Sequence, residues 1–170
     1  MNKILFCILA LVTSNTYADV VWLNFTGTIK IATCKVLNSS PQSVDLGTVF
    51  SNHFSGPGDA TPAVPFSISL ECNTSNPGSI KVLFTGQADG VDQTLLALDD
   101  VEGVAKGVAI RINDENGQKV NINTETVQHT LVGNSTNVLN FSAQVQATKN
   151  SAEISAGKII ASVQFDINYQ

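Results

Sequence analysis

Cysteine is the residue type here most able to make a covalent bond, and the chain has three: Cys7, Cys34 and Cys72. Cys34 and Cys72 stand 38 positions apart, far from the C-x-x-C spacing of a redox motif. No cluster of histidines lies beside them to complete a zinc donor set. A structural disulfide is the chemistry left to them, provided the chain reaches an oxidising compartment. The remaining reactive inventory is thin. His53 and His129 each lie alone in a polar context and read as surface residues rather than metal ligands. Carboxylates crowd at Asp99-Asp100 and in "NDENG" (residues 113–117). The second group has neither the spacing nor the closing glutamate of a calcium loop, and reads as a hairpin turn. No G-x-S-x-G elbow, P-loop or dinucleotide fingerprint occurs. Asn24-Phe-Thr and Asn140-Phe-Ser are sequons, which matter only in a eukaryotic secretory route. The residues therefore suggest no enzyme, metal, cofactor or small-molecule substrate.

The compartment is written at the N-terminus. Met1-Asn2-Lys3 is a short basic segment, "ILFCILALV" (residues 4–12) is apolar, and Thr16-Tyr17-Ala18 has the small-x-small form of a cleavage site. The apolar run is too short to span a bilayer. Residues 1–18 are thus expected to be a cleaved signal peptide, which removes Cys7 and leaves an even pair bound for oxidising surroundings. Closing a loop of that length is worth roughly 4 kcal/mol in the chain-entropy account. Removing 18 of 170 residues leaves 152, enough for one domain with a real core. Losing Lys3 from 9 basic residues leaves 8 against 14 acidic ones, a net of −6. A thinly charged, slightly acidic surface argues against nucleic acid and anionic membrane as partners. No later apolar stretch is long enough to cross a membrane.

The mature sequence reads as strands between turns. Alternation of apolar and polar residues marks residues 43–50 (SVDLGTVF), 64–72 (VPFSISLEC), 79–86 (SIKVLFTG), 107–113 (GVAIRIN), 138–148 (VLNFSAQVQAT) and 158–170 (KIIASVQFDINYQ). Breaker clusters such as "SGPGDATPAVP", "NTSNPGS" and "VGNSTN" lie between them. Sustained helical periodicity is absent, with a short helical turn conceivable only in "DQTLLALDDVEG". Such spacing predicts one antiparallel all-β sandwich or barrel.

The two ends of this chain pose the functional question. In "DVVWLNFTGTIKIATC", Val21, Leu23, Phe25, Gly27, Ile29 and Ile31 share one face, while Trp22, Asn24, Thr26, Thr28 and Lys30 share the other. At the far end, Ile159, Ala161, Val163, Phe165, Ile167 and Tyr169 fall on one face, up to the penultimate residue. A sheet edge with an apolar floor is expected there, and such edges invite a strand from another chain. Residues 21–31 either fold back as an edge strand of their own domain or leave it to complete a neighbour's sheet. Alternation does not separate the two.

A resemblance does. "FTGTIKIATC" places a glycine seven positions before the first cysteine, and "TPAVPFSISLEC" leads into the second. "VLFTGQAD", "LLAL" and "GVAIRINDENGQKV" follow, and "GKIIASVQFDINYQ" carries a penultimate tyrosine, Tyr169. In order and spacing the chain resembles the chaperone–usher pilin family, most closely a minor subunit of type 1 fimbriae. The resemblance implies an incomplete immunoglobulin-like sandwich of six strands, missing the seventh, in residues 32–170. Residues 19–31 would be an N-terminal donor-strand extension, with Val21, Leu23, Phe25 and Ile29 inserted into a neighbour and Gly27 where two backbones approach closely. A periplasmic chaperone and then a neighbouring subunit, delivered at an outer-membrane usher, would fill the groove. Val163, Phe165, Ile167 and Tyr169 would form the C-terminal edge strand at chaperone and groove, with the carboxylate of Gln170 held by the chaperone. The implied product is a structural subunit exported through the periplasm to a fimbrium on the bacterial surface, linking pilins in or near the tip and supporting adhesion. A single-domain adhesive pilin, binding a host ligand through loops such as residues 55–63, is the other reading.

Overall fold

The computed structural model of the chain describes residue 27, residues 34–37 and residues 42–170. Among these residues eight strands run in chain order: β1 (Cys34–Val36), β2 (Val64–Cys72), β3 (Ser79–Thr85), β4 (Val108–Asn113), β5 (Lys119–Val120), β6 (His129–Thr130), β7 (Ser135–Ala147) and β8 (Gln164–Tyr169). β5 and β6 are two-residue pieces, so six strands carry most of the pairing. Among the described residues, helix is confined to two 3₁₀ turns, Ser51–His53 and Ser151–Glu153. All the strand pairs are antiparallel and form two sheets, ordered β1-β2-β7-β4-β5 and β6-β3-β8. This is the all-β, immunoglobulin-like sandwich that the alternation and the resemblance predicted.

The side-chain period explains the layers. In β3, Ile80, Val82 and Phe84 are buried while Ser79, Lys81 and Leu83 face away from the core. β2 answers with Ile68, Leu70 and Cys72, and β7 with Leu139, Phe141, Ala143 and Val145. The β2–β7 register sets Phe66 opposite Phe141, whose rings stack at 5.7 Å. Phe84 crosses from the other sheet and meets both edge-on, at 6.3 and 5.0 Å. Such contacts add about 0.5–1.5 kcal/mol per pair beyond area burial. They bind one sheet to the other near the middle of the core.

Cys34 and Cys72 face each other in the β1–β2 ladder and are disulfide-bonded, as expected. The predicted turn at residues 113–117 is the β4–β5 hairpin: Asp114 N donates to Gln118 O, and Gly117 N to Asp114 O. Gly117 closes it at φ +75°, a conformation glycine adopts without steric cost. Where a helical turn was conceivable, Leu95 N donates to Asp92 O in a tight turn, and Leu96 then bridges Ile110.

Two predicted strands differ in the structure. Residues 43–50 place Val44, Leu46 and Val49 against the core but join no ladder among the described residues, and Gly47 at φ +69° breaks the run, leaving Phe50 exposed. The last strand pairs with β3 only from Gln164 to Tyr169, because β3 ends at Thr85 opposite Gln164. Before that point the chain turns to residues 99–106, bridging Val104 to Lys158 and Lys106 to Ser155. Alternation reports which side chains are buried, not whether a neighbour is present to pair with. His129 also departs from expectation: it is half-buried, its ring 6.4 Å from that of Phe141, with Nε2 buried and unpartnered.

Candidate functional site

Where the two unpaired segments face each other, a cleft of about 1020 Å³ opens between residues 42–47 and residues 159–165. Its lining is mainly apolar and drawn from both sheets: Phe66, Ile68, Phe84, Leu96, Ile110, Ile112 and Ala143. Ile68, Ile110 and Ile112 keep 1%, 5% and 3% of their exposure, so what solvent reaches is the rim above them. Ile160 and Val163 on that rim are 44% and 39% exposed. The polar lining comes from Gln42, Ser43, Asp45, Ser162 and Gln164 in the rim segments. Asp45 is already engaged, accepting from Gly47 N at 2.9 Å. The volume reaches the upper end of the about 300–1,000 Å³ typical of ligand pockets, yet polar groups do not converge within it. The lining suits an apolar occupant.

An open strand edge adjoins the cleft. Among the described residues, β8 is the outer strand of its sheet. Gln170 N donates to Ser79 O at 2.9 Å, which shows that the even-numbered residues direct their backbone groups at β3. The period of two then turns Phe165 and Ile167 N–H and C=O the other way, to the open side. At the disulfide end the sandwich is closed: Tyr169 Oη donates to Cys34 O at 3.1 Å, tying β8 to β1.

The carboxyls with displaced titration lie outside the cleft. Ser55 N and Gly56 hold the Asp59 carboxyl below its ordinary 3.8, and Thr94, with Lys119 behind it, does the same for Asp92. The loop of residues 55–63 is tied down by Ser55 N to Asp59 Oδ2 and by Gly58 N to Ala147 O. Among the described residues no group of three or more His, Cys, Asp and Glu is placed to hold a metal ion.

The predicted site residues divide accordingly. Cys34 and Cys72 are brought together. Val163 and Phe165 line the cleft, while Phe165, Ile167 and Tyr169 are half-buried against the core. Val21, Leu23, Phe25 and Ile29 lie outside the described residues, as does the cleavage site after Ala18. Gly27 is exposed, and a Cβ there would meet nothing within 4 Å. Sequence reasoning missed the opposite rim at residues 42–47 and the floor. The alternation of Val44 and Leu46, and of Ile110 and Ile112, marks them as inward-facing but carries no sign that a cleft opens above.

Comparison with known proteins places the chain. Residues 23–170 match the family described as Fimbrial protein. Long polar fimbria protein A of Salmonella typhimurium is 34% identical over 177 residues, covering 100% of this chain and 98% of that protein. A probable major fimbrial subunit of Escherichia coli O157:H7 is 33% identical, with the same coverage. A solved chaperone–usher pilus structure, in a study of rod uncoiling, superposes with a TM-score of 0.67 at 23% identity, over 93% of this chain and 100% of that one. The last likeness is one of fold. The chain belongs to the fimbrial protein family, as a fimbrial subunit and not an enzyme.

Proposed function

We propose that this chain polymerises by donor-strand complementation, its cleft receiving an extended segment of the next subunit and its own residues 19–31 completing the preceding one. The carrying observation is the junction of an apolar cleft with an open strand edge, in a chain of the fimbrial family. β-Augmentation uses this combination: backbone ladder bonds give affinity, and alternate side chains fill the floor. Val21, Leu23, Phe25 and Ile29 are the inserted side chains, each worth about 1.5–3 kcal/mol on full burial. Gly27 fits the same account, because no contact within 4 Å in its own chain requires a glycine there. The demand comes from the acceptor.

On this reading a signal peptide of residues 1–18 directs export. A periplasmic chaperone covers the cleft and the edge at Val163, Phe165, Ile167 and Tyr169 until an outer-membrane usher delivers the next donor. The product is an extracellular fimbrium on the cell surface. A minor, linking place in or near the tip follows from the sequence resemblance. A place in the main shaft is the second reading, favoured by the full-length match to a probable major fimbrial subunit. The anchoring of residues 55–63 to β7 leaves the adhesive alternative to exposed side chains alone.

Deleting residues 19–28 tests the donor assignment. The shortened subunit is expected to be captured by the chaperone and yet fail to join beneath a preceding subunit. Normal incorporation into fibres would remove residues 19–31 from the donor role.

A further inference from the structure

We propose that Asp99 is a positioning residue for the strand the cleft receives, standing in as a strand partner along one rim; this rests on the donor-strand reading above. β3 ends at Thr85, opposite Gln164. Beyond it, a strand in the same place would accept from the N–H of Ser162 and donate to the C=O of Ile160. Asp99 does both. Its backbone N donates to Ile160 O at 2.7 Å, and its Oδ1 accepts from Ser162 N at 3.2 Å. Its Oδ2 also accepts from Ser162 Oγ at 2.9 Å. The carboxylate does this work because the carbonyl of Asp99 is engaged elsewhere, accepting from Val101 N at 2.9 Å where the chain turns.

The consequence lies on the opposite side of the rim. Lys158 N donates to Gly103 O and Lys158 O accepts from Ala105 N, at 2.7 and 2.9 Å. Residues 158, 160 and 162 thus all direct backbone groups at the 99–106 loop. The alternation of a strand turns the N–H and C=O of Ile159, Ala161 and Val163 toward the cleft. None of these six groups bonds to another described residue. They continue the phase of Phe165 and Ile167, so Asp99 prolongs the open edge of β8 along the cleft past the point where its sheet partner stops. Close approach of loop and rim also needs Gly157, where a Cβ would run into the backbone of Val104 and Ala105.

The test is capture of a synthetic peptide of residues 19–31 by the full chain, read by affinity and by amide exchange at Ile159, Ala161 and Val163. The unaltered chain should capture it and protect these amides. Asp99→Ala should bind at least about tenfold more weakly, as loss of the carboxylate's two hydrogen bonds to Ser162 implies, with the three amides left exchanging. Asp99→Asn retains an acceptor oxygen and should restore both readouts. Should Asp99→Ala fail to fold, Ser162→Pro removes the N–H that Asp99 receives, leaves the cleft-facing groups in place and should weaken capture alike. Equal capture and protection in either folded variant would overturn the role of Asp99 while leaving the cleft reading intact. No capture by the unaltered chain would overturn the cleft reading itself, and this inference with it.

Discussion

Asp92 shows how a single side chain organises a loop that the strand pattern leaves undefined. Its Oδ1 accepts from Thr94 N at 3.0 Å and from Thr94 Oγ1, and Lys119 Nζ stands 3.7 Å from its Oδ2. These contacts, the Thr94 hydroxyl first, hold its carboxyl below the ordinary 3.8. A carboxyl lowered in the folded state contributes stability that is complete above its unfolded value and lost as pH falls through the folded one. Asp92→Asn is therefore expected to cost under about 1 kcal/mol at neutral pH, since the pair is partly solvated. That difference should shrink as pH falls below 3.8, as followed by denaturant unfolding at a series of pH values. A difference unchanged at pH 2 would remove the charge from the explanation. Little of this was legible beforehand: "DQTLLALDD" does not reveal that Lys119, 27 positions after Asp92, returns beside it.

At the level of elements, alternation was informative wherever a strand is paired on at least one side. β2 has the predicted bounds, and the β4–β5 hairpin forms at the predicted turn. It misled at residues 43–50, where Gly47 shifts the inward phase from Val44 and Leu46 to Val49 and leaves Phe50 exposed, and at residues 158–163, where a loop replaces the ladder partner. Those are the two rims of the cleft. What escaped the sequence is therefore one thing seen twice: whether a neighbouring strand lies alongside, which alternation does not report. β1 is the other vulnerable element, three residues long at the edge of its sheet. Beside its ladder to β2, it is held by the bridge from Cys34 to Cys72 and by the bond from Tyr169 to the Cys34 carbonyl. Replacing both cysteines with alanine should cost about 2–5 kcal/mol. The denaturation midpoint would fall accordingly, and an unchanged midpoint would show that β1 is held by packing alone.

For the whole molecule, the donor-strand proposal ties stability to an occupant of the cleft between residues 42–47 and 159–165. Anything that binds the folded chain and not the unfolded one stabilises it by mass action, about 2.7 kcal/mol at a concentration 100-fold above Kd. A peptide of residues 19–31 should raise the unfolding temperature in this concentration-dependent way. A one-residue shift of phase moves every side chain of a strand to its other face. A control peptide with Val21/Trp22, Leu23/Asn24, Phe25/Thr26 and Thr28/Ile29 exchanged has the same composition and charge, yet turns Val21, Leu23, Phe25 and Ile29 away from the cleft. It should leave the unfolding temperature unchanged. Equal stabilisation by both peptides would mean that the cleft takes apolar residues without regard to pattern. Stabilisation by neither would mean that the fold does not need the strand we assign to it.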